Sequence, residues 1–454
     1  MNLFYTILAF ALALGILIVF HELGHYFVAR WSGVKVLRFS LGFGKPLWVK
    51  RHGPDNTEWV IAAFPLGGYV KMLDEREGEV HPSELSRAFN RQSVYRRFAI
   101  VLAGPLANFL LAILVFWLLF LVGVPGARPI LGAVPVDSAA HIAGLSAQQT
   151  IIKINGATTP NWSDVRWRLL KEAVKKNPVT LTVKNLDGST SVHELGLGTL
   201  SSEDLDQDFF PKLGITPYRP PLPAVMGEIA KGGAASAAGL QTQDKILRVN
   251  GAAIRLWEEF VRIIRANPGK PLALEVMRGD EILNLTLTPS SINEETQPVG
   301  KIGAGPWISP ELRESLSTTI RYGPLLALGK ALEKTWDSSI FTLEMLGRMI
   351  MGQVSWKNIS GPITIADYAG QSANLGILPY LSFIAAISIG LGIMNLLPIP
   401  LLDGGHLMYY MAEIIRGRPP TEQALAIGQQ IGIALLLTLM TFAFYNDINR
   451  LLTG

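Results

Sequence analysis

Leu3-Phe4-Tyr5-Thr6-Ile7-Leu8-Ala9-Phe10-Ala11-Leu12-Ala13-Leu14-Gly15-Ile16-Leu17-Ile18-Val19-Phe20 runs without a charge straight into His21-Glu22-Leu23-Gly24-His25. With its helix-compatible tail to Val28, the stretch exceeds the roughly 20 residues a helix needs to cross a hydrocarbon core. It has no basic start and no small-residue cleavage site, so it reads as a span and not as a removable signal. On a helix, residues i and i+4 share a face, so His21 and His25 can reach one zinc ion. Glu22, one step round, is placed to take a proton from a water and pass it to a leaving amine. Two imidazoles and a carboxylate at the end of an apolar helix are costly unless they are used.

Three further apolar runs follow: Phe98 to Val124, Ile377 to Leu402 and about Ala424 to Tyr445. Each is long enough to span. Only 17% of the 454 residues are charged, against about 25% in an average soluble domain. Cysteine is absent, which excludes disulfide scaffolds, thiolate metal sites and thiol nucleophiles. The net charge of +4 does not by itself call for nucleic acid, and no nucleic-acid partner is expected. Basic residues gather between runs one and two, from Arg30 to Arg97, and again at Arg416 and Arg418 between runs three and four. Lys and Arg mark the cytoplasmic side. Both termini and the long stretch after Val124 are therefore expected outside, with His25 near the inner face.

That long stretch, about Ala127 to Ser309, repeats at a spacing of 95 residues. Ala143-Gly144-Leu145 matches Ala238-Gly239-Leu240, Asn155-Gly156 matches Asn250-Gly251, and Trp162 matches Trp257. Each copy reads as strand, Asn-Gly hairpin, strand, helix and a further strand. The pattern resembles a PDZ domain, a fold that captures extended peptides beside a helix. The second copy, with Asp244-Lys245-Ile246, is the better match; the first has Gln149 where Asp244 stands.

A catalytic zinc usually has three protein ligands. His52, His81, His141 and His193 lie in polar segments, and the topology puts the last two on the wrong side. The better source is Asn395-Leu396-Leu397-Pro398-Ile399-Pro400-Leu401-Leu402-Asp403-Gly404-Gly405-His406. There Pro398 and Pro400 break run three, and irregular backbone at this depth is tolerated where it lines a cavity. Asp403 is the expected third ligand, with His406 as its rival. Between the repeat and run three, Tyr322–Gly352 contains Glu344 and Arg348 at i and i+4 and is expected to lie on the membrane surface without crossing it. One more crossing there would put Asp403 a bilayer away from His21.

Taken together, the chain resembles the site-2 protease family of intramembrane zinc metalloproteases, in its bacterial branch. The resemblance rests on His21-Glu22-Leu23-Gly24-His25, Gly42-Phe43-Gly44, Pro65-Leu66-Gly67-Gly68-Tyr69-Val70-Lys71-Met72, Ala103-Gly104-Pro105-Leu106-Ala107-Asn108, the tandem repeat, and Asn395 through His406. It implies that His21, His25 and Asp403 bind Zn2+ and that Glu22 activates water. It also implies that Asn395 helps hold the substrate backbone; Pro398, Pro400 and the Gly42-Phe43-Gly44 loop are the other expected substrate contacts. The implied substrate is a single-pass anti-sigma factor already shortened by another protease, in stress signalling across a bacterial inner membrane.

The expected fold is a polytopic α-helical membrane protein with four transmembrane helices, a membrane-associated β-hairpin region and two inserted αβ PDZ-like domains. Its expected parts are helix one with the zinc motif (1–28), a cytoplasmic loop with a re-entrant hairpin (29–97), helix two (98–124), PDZ-like domains (127–219 and 220–309), amphipathic linker helices (310–376), helix three (377–402), a cytoplasmic loop (403–423) and helix four (424–446). In the hairpin, Val34–Lys50 and Thr57–Met72 alternate like strands and offer an edge against which a substrate helix can be opened. Asn108 and Gly104 face one side of helix two, which suits close helix packing or a polar contact near the site. Two other readings remain: a catalytically silent membrane receptor that binds peptides through its PDZ pair, and a soluble zincin merely anchored to a membrane.

Overall fold

A computed structural model describes residues 3–201, 204, 208–294, 297–354, 356 and 360–453. The chain divides into two compact units, residues 1–124 with 320–453, and residues 125–319.

Among the described residues, the first unit contains four helices long and apolar enough to cross a membrane. They are α1 (Leu3–Trp31), α2 (Val94–Val122), and, after α3 (Pro324–Ile350) and α4 (Pro362–Leu375), α5 (Ile377–Leu396) and, beyond α6 (Asp403–Arg416), α7 (Glu422–Thr453). Helix α1 ends where Gly33 turns to φ 84° and Val34 N–H bonds back to Ala29; glycine takes that left-handed conformation without strain. Its Ala9, Ala13 and Leu17 pack with Leu111, Ala112 and Val115 of α2 and Ile384, Ala385 and Ile389 of α5. Small residues bring the backbones close. A Cβ on Gly24 would lie 2.3 Å from the Ala103 carbonyl oxygen.

Helix α5 stops earlier than the apolar pattern suggests. Leu397, forced out of helical geometry by Pro398, is extended at φ −61°, ψ 145°. The chain then doubles back. Leu401 takes φ 88°, an uncommon conformation for a bulky residue, and α6 starts at Asp403. Gly404 and Gly405 fit only because they lack side chains: Cβ atoms there would meet the Leu397 and Ile399 carbonyl oxygens at 2.1 and 2.6 Å. Helix α6 is tied to α2 by Arg97, which donates to Glu413 (2.6 Å) and lies over the Tyr410 ring.

Helix α3 is amphipathic and is not among the spanning candidates. Ala327 and Ala331 are buried, Leu325 and Trp336 are exposed, and Glu344 pairs with Arg348 at 3.1 Å. Helix α7 is almost wholly exposed within the protein, and two small patches fix it. Gly432 lies against the Pro400 carbonyl, and the buried Asp447 carboxylate accepts hydrogen bonds from Gly361, Ile363 and Thr364 at the start of α4.

The hairpin is more elaborate than two paired strands. Strands β1 (Val36–His52) and β2 (Thr57–Met72) fold over so that Arg38–Leu41 pairs with Gly68–Lys71 on one side and Glu58–Ile61 on the other. The outer half of β1 pairs in turn, Trp48 opposite Ile61 and His52 opposite Thr57. The Gly68 edge lies against α1: a Cβ there would meet Ile18 at 2.7 Å and the Glu22 side chain at 3.0 Å.

The second unit holds the repeat. In each copy four strands share one order: Ala157–Thr158, Thr150–Ile154, Val179–Lys184, Thr190–Leu195, and Ala252–Ala253, Lys245–Val249, Leu272–Arg278, Glu281–Leu287. The Asn-Gly pairs adopt the two left-handed residues of a tight hairpin turn, Asn155 at φ 49° and Asn250 at φ 50°. Both asparagines accept from the next strand, from Thr180 and Ala273. Helices Trp162–Lys175 and Trp257–Ala266 bury Val165 and Leu169, and Phe260 and Ile264, over separate cores. Gln149 and Asp244 do one job: each accepts a backbone N–H, from Ser146 or Gln241. Asp244 adds a bidentate pair with Arg278, at 2.8 and 2.7 Å.

Candidate metal centre

The α1 helix turns His21 and His25 to one side, and the α5–α6 reversal delivers Asp403 to the same place. His21 Nε2 and His25 Nε2 are 3.3 Å apart, and Asp403 Oδ2 is 3.2 and 3.5 Å from them. Ligand atoms held about 2.0–2.1 Å from a tetrahedral zinc lie about 3.3 Å from one another. The three atoms therefore occupy three corners of such a site. Among the described residues this is the group of histidines and acids close enough to share an ion.

The protonation pattern points the same way. His25 Nδ1 lies 2.8 Å from the Ile100 carbonyl, which can only accept, so Nδ1 carries the proton and Nε2 a lone pair. Among the described residues, the buried Asp403 Oδ2 has no partner of hydrogen-bond geometry. A lone pair and an anionic oxygen meeting in a poorly hydrated place are unfavourable unless a proton or a metal cation joins them, and the donor set of two imidazoles and a carboxylate suits zinc. The backbone carbonyl behind His25 is the outer support usual for a metal-bound imidazole.

Space is as important as charge. His25 is buried against α2 at Gly104, where a Cβ would sit 2.2 Å from Nε2. Glu22 is also buried, beside the sheet edge at Gly68, and joins none of the bonds above.

The family model of peptidase family M50 matches residues 9–439. The chain belongs to peptidase family M50. It is 43% identical over 452 residues to the regulator of sigma-E protease RseP of Salmonella typhimurium, covering 99% of this chain and all of the relative. It is 44% identical over 454 residues to a protease RseP of Yersinia pestis, at 99% and 100% coverage, and 39% identical over 459 residues to a putative zinc metalloprotease of Vibrio cholerae, again at 99% and 100%. This M50 peptidase is thus a zinc metalloprotease with four apolar helices in a membrane.

The other residues singled out in the sequence fall around the M50 centre in different ways. His406, the rival ligand, is outside the three-atom group and lines a cavity of about 270 Å³ with Arg76, Arg97 and Tyr410. Asn395, at the end of α5, is half-buried and joins none of the centre's hydrogen bonds. Pro398 is exposed, while Pro400 lies under Gly432 of α7. Gly42 and Gly44, both at φ 88°, turn β1 back on itself and leave Phe43 half-exposed, stacked on Tyr69. Three supports of the centre carry little sequence signal. The Ile100 carbonyl has no side-chain signature, Gly104 reads like any small packing residue, and Ser388 is one hydroxyl in an apolar helix, donating to the Asn108 carbonyl at 2.7 Å.

Proposed function

We propose that the chain hydrolyses peptide bonds within the transmembrane segment of single-pass membrane proteins, with His21, His25 and Asp403 holding the zinc and Glu22 as general base. The convergence of three donor atoms at mutual distances of 3.2–3.5 Å carries this reading. Zinc, when bound, supplies the Lewis acidity that polarises a peptide carbonyl and eases loss of a proton from water. The protein's own part is to fix the donors and exclude bulk water. The Glu22 carboxylate takes the water's proton and then gives it to the nitrogen of the breaking amide. Because a helix hides its amides, the substrate is opened by pairing with the sheet edge near Gly68, with the Gly42-Phe43-Gly44 turn and Asn395, Pro398 and Pro400 flanking the extended chain.

By analogy with relatives named for sigma-E, the substrate is an anti-sigma factor trimmed first by another protease, and the setting is envelope stress signalling across a bacterial inner membrane. The basic loops support an orientation with the termini and the repeat outside and the zinc site toward the cytoplasm. The repeats are PDZ-like, in domains at 127–219 and 220–309, and serve to select trimmed substrates. A silent receptor has no use for a buried carboxylate beside two histidines. The deciding experiment is Glu22→Gln in the full chain, with zinc content and cleavage of a membrane-anchored substrate both measured. The variant keeps its zinc and loses cleavage; full activity refutes the mechanism.

A further inference from the structure

We infer that Asn108 of α2 is the positioning residue for His21, accepting the Nδ1 proton through its side-chain oxygen and so holding the Nε2 lone pair toward the metal. This rests on the reading of His21 as a zinc ligand. The Asn108 amide is fully buried and lies 3.0 Å from His21 Nδ1. As placed, Nδ2 faces the ring, and Oδ1 is buried without a partner among the described residues. That orientation makes the amide the donor and forces the ring proton onto Nε2, into the group of three donors. A zinc-binding Nε2 requires the reverse: Nδ1 keeps the proton, and the group facing it must accept. Rotating the amide by half a turn presents Oδ1 to Nδ1–H. One amide atom lacks a partner in either orientation, so the rotation decides only which nitrogen of His21 keeps its lone pair. Asparagine, unlike aspartate or leucine, can serve both states, donating to the ring in the metal-free site and accepting from it in the loaded one.

The two ligand histidines then have matching supports on one helix, two turns apart: the Ile100 carbonyl for His25 and the Asn108 amide for His21. Asn108 is itself steadied from α5, where Ser388 donates to its backbone carbonyl. Outer partners of this kind set ligand orientation and basicity.

The test is zinc affinity of the purified full chain, read by competition with a chromophoric chelator. Asn108→Leu, which fills the space without an acceptor, weakens binding about 10–100-fold. Asn108→Asp, which keeps an acceptor, stays within roughly threefold of the parent or binds more tightly. Parent-like affinity in Asn108→Leu overturns the inference. Equal loss in both variants also overturns it, since shape alone then matters. If the leucine variant does not fold, Asn108→Ala removes the same acceptor without bulk and is read in the same way. His21→Ala separates the two levels. If it retains parent affinity, the ligand reading fails and the inference with it; if it loses zinc while Asn108→Leu does not, only the role of Asn108 is refuted.

Discussion

Replacing Gly104 with alanine adds one methyl group, and the structure says where it goes: 2.2 Å from His25 Nε2, with two further ring atoms at 2.5 and 2.8 Å. Non-bonded atoms of this kind settle about 3.5 Å apart, so the ring or the α2 backbone must give by about 1 Å. Metal–ligand distances tolerate about 0.2 Å. The ring cannot retreat without breaking its 2.8 Å hydrogen bond to Ile100. Loss of one ligand from three is expected to lower zinc affinity by at least roughly 100-fold, beyond the 10–100-fold of an outer partner. Helix propensity does not oppose the change, since alanine favours a helix by about 1 kcal/mol over glycine. The measurement is zinc per chain by elemental analysis and chelator competition, beside cleavage of a membrane-anchored substrate. Gly15→Ala in α1 is the control, because its Cβ meets nothing within 4 Å among the described residues. If Gly104→Ala binds zinc like the parent and cleaves normally, the packing of His25 on α2 is not what forms the site.

Asp403→Ala should lower zinc affinity together with activity, and unchanged affinity would point to His406 or another third ligand. In the second repeat, burial alone would raise the Asp244 carboxyl, but Arg278 and the Gln241 N–H outweigh it and hold it below its ordinary value of 3.8. Its contribution is therefore present above about pH 4 and lost as pH falls through the lower folded value. Arg278→Met strips this buried carboxylate of its partner, which should cost about 3 kcal/mol and show as easier proteolysis of the second repeat. A single cysteine at Lys330, introduced into a chain that has none, should react with an impermeant thiol reagent from outside the cell; reaction only from the cytoplasmic side refutes the proposed orientation.

The features legible in the sequence share a physical origin: they are periodic or strongly penalised. Four apolar runs, the i, i+4 histidines and the Asn-Gly turns at matching positions in the repeat all declare themselves, because membrane length, helix pitch and left-handed backbone each demand particular residues. Asp403 is within reach because it follows a broken apolar helix on the same side of the membrane as His21 and His25. The rest depended on distances that no local pattern encodes. Asn108 is the one strongly polar residue of its run, yet its side chain meets His21 only through the α1–α2 crossing. Gly104 differs from other small helix residues only in what lies opposite. The doubled pairing of Arg38–Leu41 is a matter of register, and strand alternation gives the same pattern for a simple hairpin. Helix α5 ends at Leu396, ahead of the apolar pattern, for a reason the sequence does contain: Pro398.

Helix α7 has a mechanical consequence. Its two attachments, Gly432 under Pro400 and Asp447 at the start of α4, are fifteen residues apart, about 22 Å of helix at 1.5 Å per residue. Between them it works as a strut of fixed length and fixed phase. One residue inserted into the exposed stretch would lengthen the strut by about 1.5 Å and rotate one end against the other by about 100°. Either Gly432 would leave the loop that carries Asp403, or Asp447 would swing away from the amides it receives. The apolar sequence between these ends can vary widely in composition, but its residue count is fixed.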